Sequence, residues 1–208
     1  RMLRVPYVIS GSGKTVPEDT GTYPKSALVT TDTEIESQSM VDYLCSCGHK
    51  RIAFITSGDE GLGRCHLNGY KRSLEKNGLE YDEKLIIRLK PGKRIYTIEN
   101  GYNCTCELLK SGVDFSCIYA ISDTLAVGAC RAVIDSGKRV PEDYCVAGAD
   151  GQDIAEYYHP SITTLKYPRV EIALQSVRTL FDLINRKKVV KRQILGGTLI
   201  ERESTRKL

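Results

Sequence analysis

Residues Ile121 to Thr164 read ISDTLAVGACRAVIDSGKRVPEDYCVAGADGQDIAEYYHPSITT. Just ahead of Asp123, Cys117-Ile118-Tyr119-Ala120-Ile121 is a continuous apolar run, the pattern of a strand buried on both faces. Thr124 to Ser136 then reads as a helix stopped by Gly137, and Tyr144 to Gly148 as the next strand. Strand, helix and strand joined by short loops spell a parallel unit with a right-handed crossover, hence an α/β fold. Ligands of open α/β sheets sit in the crevice beyond the carboxyl ends of the strands. Asp123 falls at such an end, which makes it a candidate ligand-binding carboxylate.

The pattern extends in both directions. Ile35 to Cys47 places Met40, Val41 and Leu44 on one helical face before Gly48. Arg51 to Ile55 reads as a strand, Cys65 to Asn77 as a helix stopped by Gly78, Leu85 to Leu89 as a strand, and Glu99 to Ser111 as a helix stopped by Gly112. This alternation predicts a parallel sheet with helices on both faces. Residues 151–168 hold a short helix, a His159-Pro160 turn and a strand from Ile162 to Leu165. A helix from Val170 to Asn185 and a strand-like stretch from Gln193 to Arg202 follow. Val5 to Thr31 gives a strand, a glycine-rich loop and another apolar run, which fit a second lobe better than the sheet just described.

The 208 residues suffice for one large domain or two small lobes, and a hydrophobic content of 41% is enough for a core. No apolar run is long enough to span a bilayer, and residues 1–30 lack a signal peptide's apolar segment, which predicts a cytoplasmic protein with no membrane partner. A net charge of +4 is mild for a chain that grips nucleic acid by itself. The cluster Arg186-Lys187-Lys188 with Lys191-Arg192 reads as a solvated loop. The 8 cysteines suit reduced thiols, three of them (Cys117, Cys130, Cys145) within apolar runs. The pairs Cys45/Cys47 and Cys104/Cys106 lack the C-x-x-C spacing of zinc or redox sites, so no metal and no cofactor is expected.

Gly11-Ser-Gly-Lys-Thr15 follows an apolar strand but lacks the first glycine of a P-loop, where Val8 stands, and loop residues rather than a helix follow it. A nucleotide-dependent kinase would have to rest on that segment. Gly61-Leu-Gly63-Arg64-Cys65-His66 lacks the third glycine of a dinucleotide fingerprint. It lies between a strand end and a helix start, so Arg64 and His66 are candidates to line the same mouth as Asp123. Tyr96, on another strand-to-helix loop, offers an aromatic face for a sugar or flat base. No nucleophile elbow, Ser/His/Asp order or paired carboxylate stands out, so no catalytic residue is assigned and the chain does not read as an enzyme.

Several segments share an order with a known family. These are Leu44-Cys-Ser-Cys-Gly48-His49-Lys50-Arg51-Ile52-Ala53-Phe54-Ile55, His66-Leu-Asn-Gly69-Tyr70, Asp123-Thr-Leu-Ala126-Val-Gly128-Ala129, Gly137-Lys-Arg-Val140-Pro141-Glu142-Asp143, Pro160-Ser161-Ile162-Thr163-Thr164 and Glu201-Arg202-Glu203-Ser204-Thr205. From about Asp32 to Arg206 the chain resembles the effector-binding domain of LacI/GalR transcriptional repressors. The resemblance implies a two-lobed, periplasmic-binding-protein-like fold with parallel sheets flanked by helices, the N-terminal lobe incomplete in this chain. Residues 1–30 and 149–168 would belong to the N-terminal lobe, and 31–148 with 169–208 to the C-terminal lobe.

It further implies a small-molecule effector (a sugar, sugar derivative or purine) in the cleft, a homodimer, and operator DNA bound through an N-terminal helix-turn-helix domain outside these residues. Asp123 falls on the family's ligand-contacting aspartate, Tyr96 near an aromatic stacking position, and Asp150 on its "G.D" crossover motif. The family's ligand arginine, three residues before the glycine of "GY", is His66 here, with Arg64 two residues earlier as its substitute. The alternative is a sugar-binding protein of a transport system.

Overall fold

The computed structural model describes residues 5–11, 25–90, 92 and 94–208. Residues 12–15 of the glycine-rich segment that suggested a P-loop lie outside them. Six strands form the main sheet in the order β4(Ile86–Arg88), β3(Ile52–Thr56), β5(Cys117–Ala120), β6(Cys145–Asp150), β7(Thr163–Lys166), β9(Thr198–Ile200). All pairs are parallel except β7 with β9, which is antiparallel. A three-stranded parallel sheet holds β1(Tyr7–Gly11), β2(Ser26–Thr30) and β8(Arg192–Ile194).

The helices are α1(Thr33–Ser46), α2(Gly61–Lys76), α3(Ile98–Lys110), α4(Asp123–Asp135), α5(Asp153–Tyr157) and α6(Arg169–Ile184). From β3 the chain steps outward to β4 through α2, then returns past β3 to β5 through α3 and continues to β6 through α4. Right-handed crossovers in opposite directions place α2 on one face and α3 with α4 on the other. Accordingly α1 packs on α2, and α3 on α4. The sequence signals act as read: Asp32 caps α1 by accepting from the amides of Glu34 (3.1 Å) and Ile35 (3.2 Å), and Gly48 and Gly137 end α1 and α4 at φ +98° and +81°.

The core lies in the six-stranded sheet, where every residue of β3 and β5 is buried. Phe54 stacks between Tyr70 (4.9 Å) and Tyr119 (5.1 Å). The Glu201-to-Thr205 segment closes the far end of this sheet. Ser204 Oγ donates to the carbonyl of Val146 (2.6 Å) and accepts from the amide of Thr163 (2.8 Å), and an Arg202 guanidinium nitrogen donates to the carbonyl of Ile162 (2.9 Å). All eight cysteines are free thiols. No helix among the described residues is long and apolar enough to cross a membrane.

Two expectations are corrected. The division into lobes placed 149–168 with the N-terminal sheet, yet β7 pairs with β6 in the register Ala147↔Thr163 and so belongs to the large sheet. Conversely, 169–194 belongs with the small sheet: α6 packs on β1 and β2, and β8 pairs with β2 in the register Leu28↔Arg192. The physical reason is the open edge of β6, which takes the first strand after the His159-Pro160 turn before the chain crosses over. The continuous strand read from Gln193 to Arg202 is likewise split, β8 joining one sheet and β9 the other.

Candidate functional site

The large sheet reverses its strand order between β3 and β5, and a crevice opens there at the carboxyl ends of the strands. A cavity of about 280 Å³ fills it, close to the lower end of small-molecule sites at roughly 300 Å³. Thr33 and Glu36 come from the first turns of α1, Leu62 and His66 from α2, and Tyr96 from the loop before α3. Tyr119, Ile121, Ser122 and Thr124 come from the end of β5 and the start of α4, and Ala149, Asp150 and Gln152 from the end of β6. Leu165 and Tyr167 complete the wall.

The walls combine three tyrosines and several aliphatic carbons with polar groups at the rim, a surface that suits a ligand with both a ring face and hydroxyls. Among the described residues, no lysine or arginine lines it. Nor do any three His, Cys, Asp or Glu residues among them converge as a metal site would require.

The five residues singled out from the sequence are not equivalent. His66, Tyr96 and Asp150 line the cavity. Burial drives the His66 imidazole down to about 4, so it is neutral, and its Nδ1 is buried with no hydrogen-bond partner among the described residues. Tyr96 is half exposed, and its carbonyl accepts a bond from the Thr124 hydroxyl (3.2 Å), which ties the loop to α4. Asp150 has φ +100°, a left-handed conformation that non-glycine residues rarely hold, at the strand end facing the cavity. Its carbonyl accepts from Tyr167 N (3.2 Å) and Arg169 (3.0 Å), which fixes that conformation, and burial raises its carboxyl.

Asp123 lies behind the wall. It is fully buried at the start of α4; Oδ1 accepts from the Thr164 hydroxyl and Oδ2 from the Gln152 amide, each at 2.6 Å. Burial raises its pKa to about 6, against the pull of those two bonds. Gly148 leaves the room it needs, because a Cβ there would overlap Asp123 Oδ1. Arg64 is exposed on α2 and does not line the cavity. The glycine-rich segment read as a loop is in fact the first turn of α2, so Arg64 and His66 leave that helix in different directions.

Sequence reasoning missed Thr33 and Glu36. Thr33 is 3% exposed, and its hydroxyl has no hydrogen-bond partner among the described residues. Burial raises the Glu36 carboxyl to about 7, against the Thr31 hydroxyl and Gly197 backbone, with the carboxylates of Asp32 and Asp150 pushing it up further. The available signal was the Asp32 cap, which starts α1 two residues before Ile35 and turns its first residues toward the strand ends.

Comparison with known proteins agrees with this geometry. Residues 41–205 match the periplasmic binding protein-like domain. The HTH-type transcriptional regulator MalR of Clostridium butyricum is 41% identical over 70% of this chain and 42% of its own length. The HTH-type transcriptional regulator CelR of Thermobifida fusca is 32% identical over 96% of this chain and 56% of its own. The solved transcriptional regulator CelR–cellobiose complex superposes with a TM-score of 0.80 at 32% identity, covering 96% of this chain and 59% of that one. The chain thus spans about half the length of the curated relatives it matches. By its matched domain, its strand-end cavity and these relatives, the chain belongs to the periplasmic binding protein-like domain family in the form found in LacI/GalR-type regulators.

Proposed function

We propose that this chain is the effector-sensing domain of a LacI-type transcriptional regulator and that its cavity binds a sugar. The carrying observation is the cavity at the strand-order reversal, where tyrosines stand beside hydrogen-bonding groups of Thr33 and His66 that have no partner among the described residues. In this reading Tyr96 packs against the ring of the ligand and His66 and Asp150 bond its hydroxyls. Asp123 positions the Gln152 amide and Thr164 behind them. Arg64, exposed on α2, takes no direct part.

Operator binding through a helix-turn-helix domain, action as a homodimer and a cytoplasmic setting belong to the whole protein. They are supported by the curated relatives, both named HTH-type regulators. Those names also favour regulation over transport. An effector changes operator affinity only through its differential affinity for two arrangements of the protein.

A thermal-shift panel of neutral mono- and disaccharides and purine nucleosides tests the reading. A sugar at a hundred times its Kd stabilises the chain by about 2.7 kcal/mol, and His66→Ala and Tyr96→Ala each lose most of that response. No saturable response to any sugar would overturn the assignment, and a response to purines alone would replace its ligand class.

A further inference from the structure

Thr33 and Glu36 lie side by side on the first turns of α1, and both face the cavity. Thr33 is almost wholly buried, and its hydroxyl has no partner among the described residues, a costly state unless something else bonds it. Glu36 has Asp32 and Asp150 as its charged neighbours, and no cation lies among the groups that shift it most. Arg169 is tied to the Asp150 carbonyl and Arg202 acts on the buried Asp123, and among the described residues neither arginine lines the cavity.

A phosphate group needs guanidinium, ammonium or free backbone N–H donors. The α1 donors at Glu34 and Ile35 are already taken by Asp32, and that of Leu125 in α4 faces Ser122. Among the described residues α2 starts at the crevice without a side-chain cap, and so does α5, whose cap residue Gln152 lines the cavity but whose first turn carries Asp153 and Glu156.

Resting on the sugar-effector reading above, we propose that Thr33 and Glu36 form the specificity-determining pole of the cavity, so that it admits uncharged or amine-bearing sugars and rejects phosphorylated ones. Glu36 meets a ligand hydroxyl or ammonium and repels a phosphate. Thr33 donates to, or accepts from, a hydroxyl of the same ligand.

The test titrates the 208-residue chain with glucose, maltose and cellobiose, their 6-phosphate esters, and glucosamine. A neutral sugar that binds should bind at least about tenfold more tightly than its phosphate ester, a difference of about 1.4 kcal/mol. Glu36→Gln should narrow that gap several-fold and weaken glucosamine wherever wild type binds it. Thr33→Val should weaken the bound sugar while leaving the melting temperature of the free chain unchanged or higher, whereas a merely structural threonine would lower both. A phosphate ester binding as tightly as its neutral parent would overturn the inference and leave the sugar-effector reading standing. So would an unchanged neutral-to-phosphate ratio in Glu36→Gln. Binding of no sugar in either series would overturn both.

Discussion

Glu36 sets the pH behaviour of the folded chain. Its carboxyl moves from 4.5 to about 7, chiefly because burial disfavours the charge. Between those values the folded state holds more proton than the unfolded state, so stability falls as pH rises and the contribution is gone above about 7. His66 works in the opposite sense. Depressed from 6.5 to about 4, it costs stability as pH falls below 6.5. Above pH 6.5 the residual protonation of the unfolded imidazole opposes Glu36 by only about 0.4 kcal/mol, so Glu36 dominates that window, with Asp123 near 6 adding a minor part. Wild type should therefore lose roughly 0.5 kcal/mol between pH 6.5 and 8, while Glu36→Gln should stay flat or gain slightly. Urea denaturation of the ligand-free chain reads this directly, and parallel pH curves for the two proteins would refute it. A residue that lowers stability in the free chain while facing a cavity fits the trade between stability and activity common at binding sites.

At the scale of elements, the α3–α4 contact depends on two glycines. A Cβ at Gly128 would overlap the carbonyl oxygen of Ile98, and one at Gly101 would overlap that of Leu125. These obstacles are backbone and cannot turn aside, so Gly128→Ala should cost roughly 3 kcal/mol, whereas Arg131→Ala on the exposed face of α4 should stay within about 0.5 kcal/mol. Chemical denaturation of both variants checks the pair; equal effects would mean that the helices are free to part.

Most of these elements were legible in the sequence, because capping residues, stopping glycines and apolar strands act locally. The start of α2 was not: Gly63 is needed where the helix presses on the Gly58 backbone, a contact between separated residues, and in the sequence it resembles loop chemistry. The split of Gln193 to Arg202 was also hidden, since alternation gives a strand's faces but not which sheet it joins. For the site, the place of Asp123 at a strand end could be read from the pattern. Its burial behind Gln152 and Thr164 depends on β6 and β7 meeting, which no local pattern records.

Across the whole molecule the two sheets are joined by three passages of chain, after β2, after β7 and after β8. Within the second passage, the Tyr167 hydroxyl ties the cavity wall to the small sheet by donating to the carbonyl of Gly11 at the end of β1 (2.7 Å). Tyr167 lines the cavity, and its backbone N–H bonds Asp150, so this one side chain connects the small sheet, the strained strand end and the ligand space. An arrangement that forms the cavity is then coupled to an arrangement of the sheets, which is what an effector must bias. Tyr167→Phe keeps the ring and removes the bond, worth about 1 kcal/mol net. Under the proposed sugar-effector reading, it should weaken binding of a neutral sugar by roughly fivefold, with the ring contact to the ligand intact. Calorimetric titration of wild type against Tyr167→Phe separates the alternatives. Unchanged affinity would show that the sheets move without straining this bond. Tighter binding would show that the bond holds the chain in the arrangement the ligand must leave.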